Sequence, residues 1–376
     1  MADDGMELQR LLRPDIATME EYTPIVPYEV LARRLGIPEE RIIKLDANEN
    51  PYGPAPQVYE ALAACKRYNI YPDPGQMLLR EAIEPYLGIA KEHVIFGNGS
   101  DEIIDLIMRL FLTPGDAVIN LPPTFGMYSY NASLCAASVV SVPRRSDFSP
   151  DVEAIERTVH AAGERAKLLI VNSPNNPDGS SITDLDLERL LRLPVIVVLD
   201  EAYAEFAGRS FVSWVPQHWN LVVLRTFSKW AGLGGLRIGY GVFPLPIATE
   251  LWKIKPPYSV NVAAQEAALA SLRNRDYLSA NIERIIRERE RLLGLLQQFS
   301  GLKAYPSQAN FILCRVLRGE SRNLKDYLAG QGILVRYYDK PGLQDCIRIS
   351  VGKPEHSDAL ISALSMYFAG LESVSV

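Results

Sequence analysis

Between about residue 51 and residue 257 the chain alternates short apolar runs with longer stretches at helical period. The runs cover 94–96, 117–119, 168–171, 195–199 and 221–224. A run that is apolar throughout suits a strand covered on both faces, and such runs alternating with helices predict βαβ units and a mostly parallel sheet. Ahead of this region Pro14, Pro24, Pro27 and Pro38 break the chain into short pieces. After it the pattern changes. Ile282, Ile285, Ile286, Leu292, Leu293, Leu296 and Phe299 mark one face of a long helix, and the charged run 287–291 reads as its solvated side. Strand-like runs at 310–313, 333–335 and 347–349, a helix over 324–329 and a last helix after Pro354 predict a compact α+β unit. The expected division is an N-terminal arm with part of a smaller domain (1–48), a large α/β domain (49–262) and a small α+β domain (263–376).

Polar residues cluster where the apolar runs end, the edge at which open α/β sheets bind ligands. The run at 221–224 leads to Ser228 and Lys229, followed by small residues and Arg237. Burial lowers the pKa of a lysine and makes its amine a nucleophile. Ser228 and Arg237 offer a hydroxyl and a cationic fork suited to phosphate oxygens. An imine-forming amine beside a phosphate site points to pyridoxal phosphate. Asp200 and Tyr203 follow the run at 195–199, where the carboxylate could pair with a pyridinium nitrogen and the phenol with the ring oxygen. Asn176 lies in the turn-rich loop after 168–171, placed to bond that oxygen from the other side. Ser100 and Asp101 open a helix after Gly97 and Gly99, where backbone N–H groups would bind an anion. Phe125, in the segment 122–128, offers a face for a planar ring.

Set in this order, the motifs 45–53, Tyr71-Pro72-Asp73, 97–102, Asn175-Asn176-Pro177, 200–203, Phe227-Ser228-Lys229 and 235–239 resemble those of fold-type I pyridoxal-phosphate transferases. Within that group the chain is similar to the histidinol-phosphate aminotransferases from about Tyr28 to its last helix. The resemblance implies a large domain whose mostly parallel sheet is sandwiched by helices, plus a smaller α+β domain. It implies that Lys229 carries the cofactor and moves the substrate's Cα proton. Asp200, Tyr203, Asn176 and Phe125 would hold the ring. Ser100, Asp101, Ser228 and Arg237 would hold its phosphate, joined by Tyr71 from the other subunit of a homodimer. Arg348 would clamp a substrate carboxylate, while Arg336, Tyr28 and Tyr258 would bind the substrate's own phosphate. The implied reaction is transamination between L-histidinol phosphate and 2-oxoglutarate. Two positions depart from the family pattern: Phe125 stands for the usual tyrosine, and Asp178 for the threonine of Asn-Pro-Thr-Gly.

Composition narrows the rest. The chain has 376 residues and a formal net charge of −6, with no cationic footprint for nucleic acid or an anionic membrane. No apolar run is long enough to span a bilayer, and the acidic start is unlike a signal peptide. Four dispersed cysteines read as reduced thiols of a cytoplasmic protein, and four histidines outside every motif suggest no metal. A nicotinamide dehydrogenase fits poorly. Glu102 stands where the glycine fingerprint needs a small residue, and the strand-like run ending at Asn120 lacks the acidic ribose ligand. An effector-binding regulator would need a DNA-binding module for which the N-terminal segment has no room. An aromatic amino-acid aminotransferase and a threonine-phosphate decarboxylase-like enzyme remain open alternatives with the same cofactor.

Overall fold

The computed structural model describes residues 10–17, 19 and 28–373. Its strands are β1 (Ile43–Leu45), β2 (Val94–Asn98), β3 (Ala117–Asn120), β4 (Ser138–Ser141), β5 (Ala166–Asn172), β6 (Ile196–Asp200), β7 (Leu221–Thr226), β8 (Ile238–Val242), β9 (Leu302–Ala304), β10 (Phe311–Val316), β11 (Ile333–Tyr337) and β12 (Cys346–Ser350). Seven strands form the large sheet in the order β2-β8-β7-β6-β5-β3-β4. All neighbours run parallel except around β8, which is antiparallel to both β2 and β7. Every residue of β3, β6, β7 and β8 is buried, including the polar Asn120, Asp200, Arg225 and Thr226 that follow their apolar runs. The reversal at β8 makes residues 227–237 a hairpin connection, fixed by the bond from the Phe227 N–H to the Ile238 carbonyl (3.1 Å). That connection carries Lys229 and Arg237.

The second sheet has the order β1-β11-β12-β10-β9. Strand β1, far upstream in sequence, joins it in parallel with β11. One long helix, Arg275–Leu296, serves both cores. Its Leu278, Ile282 and Ile285 pack with the large-sheet core, and its Leu292 and Leu296 pack with Leu45, Ile312, Ile347 and Leu360 of the small-sheet core. The helix Val262–Arg273 lies with the large-sheet core through Ala264, Ala267 and Ala268.

The charge run 287–291 is not wholly solvated. Glu288 and Arg289 are buried, because they fall between Ile285 and Leu292 on the inward face. Arg289 Nη1 donates to the carbonyls of Phe206 (3.3 Å) and Ala309 (3.2 Å), while the Arg291 guanidinium forks onto Glu288 (2.8 and 2.9 Å). These bonds tie the helix to both units, so a buried charge here is satisfied rather than stranded.

Beneath the carboxyl edge of the large sheet lies a second buried charge cluster. Arg225 of β7 donates to Glu201 Oε2 (3.2 Å) and Glu205 Oε1 (2.7 Å). Ser210 Oγ donates to Glu201 (2.5 Å) and Tyr86 Oη to Glu205 (3.2 Å). Removing one member of such a cluster strands the others in a low-dielectric interior. Arg225→Ala should therefore destabilise the fold by about 3–5 kcal/mol, seen as a depressed thermal midpoint. A midpoint within 2 °C or so of the parent would show that the two glutamates are rescued by solvent.

Candidate active site

Lys229 emerges from the β7–β8 connection into the space between the two units. Its Nζ makes one long hydrogen bond, to the Ala47 carbonyl (3.4 Å). Burial, reinforced by the nearby Arg348 guanidinium, pushes its pKa down to about 8. The backbone around it is held from outside the hairpin, since Asn50 Nδ2 donates to the carbonyls of Lys229 (3.2 Å) and Trp230 (3.1 Å). Gly232 needs its lack of side chain: a Cβ there would lie 2.6 Å from the Gly53 carbonyl carbon.

One strand away, Asp200 ends β6, 3% exposed. Its Oδ1 accepts the Ala202 N–H (3.0 Å) and its Oδ2 accepts the Tyr128 hydroxyl (2.6 Å). No cationic side chain among the described residues forms an ion pair with it, and burial pushes its pKa up to about 6. Tyr203 is likewise buried, and burial pushes its phenol up to about 12. Its oxygen accepts from Asn48 Nδ2 (3.0 Å), which leaves its own proton to donate. Phe125 meets Tyr128 edge to face, with ring centres 5.6 Å apart.

The helix Gly99–Phe111 begins with no side-chain cap on its N-terminus. Its free N–H groups and dipole are suited to an anion. Arg237 Nη2 reaches this end through Asp101 Oδ2 (2.6 Å). Two glycines keep the cup open: a Cβ on Gly99 would meet Arg237 Nη2 at 2.6 Å, and one on Gly239 would meet the Ser100 nitrogen at 2.4 Å. Ser228 Oγ accepts from Thr226 Oγ1 (3.0 Å) at the end of β7.

Arg348 enters from the small sheet, 5% exposed. Its Nη1 donates to Asn176 Oδ1 (2.5 Å) and its Nη2 to the Asp46 carbonyl (2.7 Å), while its Nε has no partner. The guanidinium also lies over the Phe311 ring, 5.2 Å from its centre. Asn176 thus spends its oxygen on Arg348, and its amide nitrogen, without a partner among the described residues, is left to donate. Arg336 faces Arg348 across the β11–β12 ladder and has no hydrogen-bond or ion-pair partner among the described residues. Tyr71 is 80% exposed and packs on Tyr258, ring centres 4.8 Å apart, so this chain does not enclose either. Tyr28 opens the helix Tyr28–Leu35, and its side chain lies outside the described residues.

The structure adds residues to which the sequence alone assigned no role. Asn48, at φ +54°, accepts from Ser350 Oγ (2.9 Å), and its backbone receives Asn310 Nδ2 (3.0 Å). Its place in the 45–53 motif was the available signal. Tyr128 closes the aromatic segment 122–128, but its bond to Asp200 spans 72 positions. The departure at Asp178 also acquires a role. Asp178 accepts from Asn175 Nδ2 and from the Ser180 N–H (2.8 Å), and it opposes the buried Arg144 guanidinium. Arg144 in turn donates to the carbonyls of Leu121, Phe148 and Asn172. Asp178 therefore fixes the loop that presents Asn176.

A nucleophilic lysine, a buried carboxylate and a helix-capped anion cup along one sheet edge define a fold-type I pyridoxal-phosphate transferase. The family of class I and II aminotransferases matches residues 40–364. A histidinol-phosphate aminotransferase of Roseiflexus castenholzii is 55% identical over 94% of this chain and 97% of its own length. The chloroplastic histidinol-phosphate aminotransferase 1 of Arabidopsis thaliana is 49% identical over 95% of this chain and 86% of its own. Among solved structures, histidinol-phosphate aminotransferase from Sinorhizobium meliloti in complex with pyridoxal-5'-phosphate superposes with a TM-score of 0.87 at 29% identity. That match covers 96% of this chain and 98% of the other. The chain belongs to the class I and II aminotransferases and, within them, to the histidinol-phosphate aminotransferase family.

The residues present fit the cofactor. Asp200 is a buried carboxylate without a cationic partner among the described residues, and a protonated ring nitrogen would supply one. The uncapped helix end and Arg237 match a phosphate, and the Tyr203 proton and the Asn176 amide match a ring oxygen.

With its amine lowered to about 8, Lys229 should react unlike an ordinary lysine. Its nucleophilic, neutral form appears as pH rises through 8, below the usual lysine value of about 10.4. Limiting amine-selective acylation of the cofactor-free protein at pH 8, read by peptide mass mapping, should label Lys229 ahead of exposed lysines such as Lys253. Uniform labelling would show that the amine is not activated.

Proposed function

We propose that this protein catalyses the reversible transfer of an amino group between L-histidinol phosphate and 2-oxoglutarate, giving imidazole-acetol phosphate and L-glutamate, with pyridoxal 5'-phosphate as cofactor. The observation that carries the reading is the convergence of Lys229, the uncompensated Asp200 carboxylate and Arg348 on one cleft. Relatives at 49% and 55% identity bear this substrate's name, which favours it over aromatic amino acids and over decarboxylation of threonine phosphate. The bound cofactor supplies an electron sink that stabilises charge developing on the substrate's Cα.

Each residue has a separable task. Lys229 would carry the cofactor, and its Nζ would take and return the Cα proton, a role suited to an amine titrating near 8. Asp200 holds the ring nitrogen cationic. Tyr203 and Asn176 would donate to the ring oxygen, and Phe125 would pack against the ring. The N–H groups of Ser100 and Asp101, with Ser228 and Arg237, hold the phosphate.

Arg348, its guanidinium fixed by Asn176 and the Asp46 carbonyl, would hold the α-carboxylate of glutamate. Histidinol phosphate has no carboxylate, so its phosphate needs another cation. Arg336, unpaired among the described residues and opposite Arg348, would supply it, with Tyr258 as a further contact in this reading. The outward-facing Tyr68, Ile70, Tyr71, Met77 and Leu78 form an apolar strip suited to a second copy of the chain. Tyr71 of that copy would complete the phosphate cup, making the working form a homodimer. Among the described residues no helix is long and apolar enough to cross a membrane, and a cytoplasmic site of action is part of this proposal.

Two substitutions test it. Lys229→Ala should retain the cofactor yet lose turnover by several orders of magnitude in a coupled glutamate assay; unimpaired rates would remove the mechanism. Arg336→Ala should raise KM for histidinol phosphate about 10- to 100-fold, the scale of a lost charge-assisted contact, and leave KM for glutamate within about threefold. Equal losses for both substrates would count against the phosphate assignment.

A further inference from the structure

Asp200 is held by a group that the cofactor chemistry alone would not demand. Tyr128 lies 1% exposed, and its hydroxyl donates to Asp200 Oδ2 at 2.6 Å, shorter than a typical neutral hydroxyl bond. Asp200 Oδ1 is fixed by the Ala202 N–H at 3.0 Å, so the two bonds together set the plane of the carboxylate. Tyr128 sits in the helix Met127–Leu134, whose preceding turn carries Phe125, and the two rings touch. One short segment therefore positions both the ring-covering side chain and the carboxylate.

We propose that Tyr128 is a positioning residue for the cofactor: its hydroxyl keeps the Asp200 carboxylate ionised and aimed at the ring nitrogen. The proposal rests on the reading of Asp200 given above and deepens it. The buried carboxylate would otherwise favour its neutral form, and a neutral Asp200 cannot hold a ring cation. A donated hydrogen bond favours the charged form instead. The other groups acting on Asp200 do not replace it. Asp101, on the helix Gly99–Phe111, is an anion and pushes the wrong way. Tyr203, which follows β6, carries a proton committed to the ring oxygen, and Asn172 of β5 meets only the Asp200 backbone carbonyl. Arg144 acts on Tyr128 rather than on Asp200. Burial and the Asp200 charge hold the Tyr128 phenol far above its ordinary range, so it remains a donor at every working pH.

The sign of the effect follows. Deleting the hydroxyl disfavours the carboxylate, raises the pH at which Asp200 protonates, and weakens the cofactor most on the acid side. A void left in the packing would weaken it equally at all pH values. The test compares holoenzyme of the parent, Tyr128→Phe and Asp200→Asn between pH 5.5 and 9, measuring cofactor release by equilibrium dialysis and the pH dependence of its visible absorbance. Tyr128→Phe should release cofactor roughly tenfold more readily near pH 6 and within about twofold of the parent near pH 9. Site-specific 3-fluorotyrosine at position 128, a stronger donor of nearly the same shape, should move the acid limb the opposite way. A pH-independent ratio between Tyr128→Phe and the parent, or an unmoved acid limb with 3-fluorotyrosine, overturns the proposal. If Asp200→Asn also keeps the parent's affinity and spectrum, the reading of Asp200 itself fails. If Asp200→Asn is impaired while Tyr128→Phe shows no pH-dependent change, only the role of Tyr128 falls.

Discussion

A carboxylate buried without a counter-charge governs this structure. Among the described residues the Asp200 carboxylate has two hydrogen bonds and no cation, and moving an unpaired ion into a protein interior costs several kcal/mol. The Tyr128 hydroxyl and the Ala202 N–H offset part of that cost, and in the proposed reading a cation arriving with the ligand would offset the rest. The surrounding charges agree. Lys229 is buried and lies near Arg348, so the amine leans toward its neutral form, while Arg237 stands at a helix N-terminus beside Asp101. Anion, amine and cup lie along the carboxyl edge of one sheet because the parallel strands β5, β6 and β7 all end there, with β8 turning back from the hairpin that bears the lysine.

The cleft is not a property of the large sheet alone. The segment 46–50 is threaded between the two units and touches each of them. Asn48 bonds Tyr203 from the large unit and Ser350 and Asn310 from the small one, Asn50 holds the Lys229 backbone, and the Asp46 carbonyl receives Arg348. A left-handed backbone at Asn48 makes this possible, and asparagine is the non-glycine residue that best tolerates it. Through these bonds the segment couples the positions of Tyr203, Lys229 and Arg348 to one another.

What the sequence showed and what it hid divide along a physical line. Strand ends carrying Lys229, Asp200, Tyr203 and Arg237 were legible because continuous apolar runs reveal buried parallel strands, and a polar residue after such a run must sit at the sheet's edge. Partners joined only by folding were not. Tyr128 reaches Asp200, Arg348 reaches Asn176 across 172 positions, and Arg144 opposes Asp178, none of which a local period reports. The charged run 287–291 misled for a related reason. Composition suggested solvent, whereas the helical period set by Ile285 and Leu292 had already placed Glu288 and Arg289 inward. Periodicity was the better guide because packing, not composition, decides which face of a helix is buried.

The placement of the two proposed substrate arginines explains how one frame could serve related reactions. The groups assigned to the cofactor, apart from Tyr71, stand on the large unit, while Arg348 and Arg336 stand on adjacent strands of the small sheet, directly opposite in register. Two like charges facing each other across an antiparallel pair are unfavourable unless anions separate them. Arg348 relieves this through Asn176, Asp46 and the Phe311 ring, whereas Arg336 has no such relief. In the proposed reading, an anionic substrate would gain from pairing with Arg336 what the protein loses by leaving it unpaired among the described residues. A change at position 336 would remove that gain and leave the strand ends that hold the cofactor untouched, so substrate choice in this fold can shift without disturbing Lys229 or Asp200.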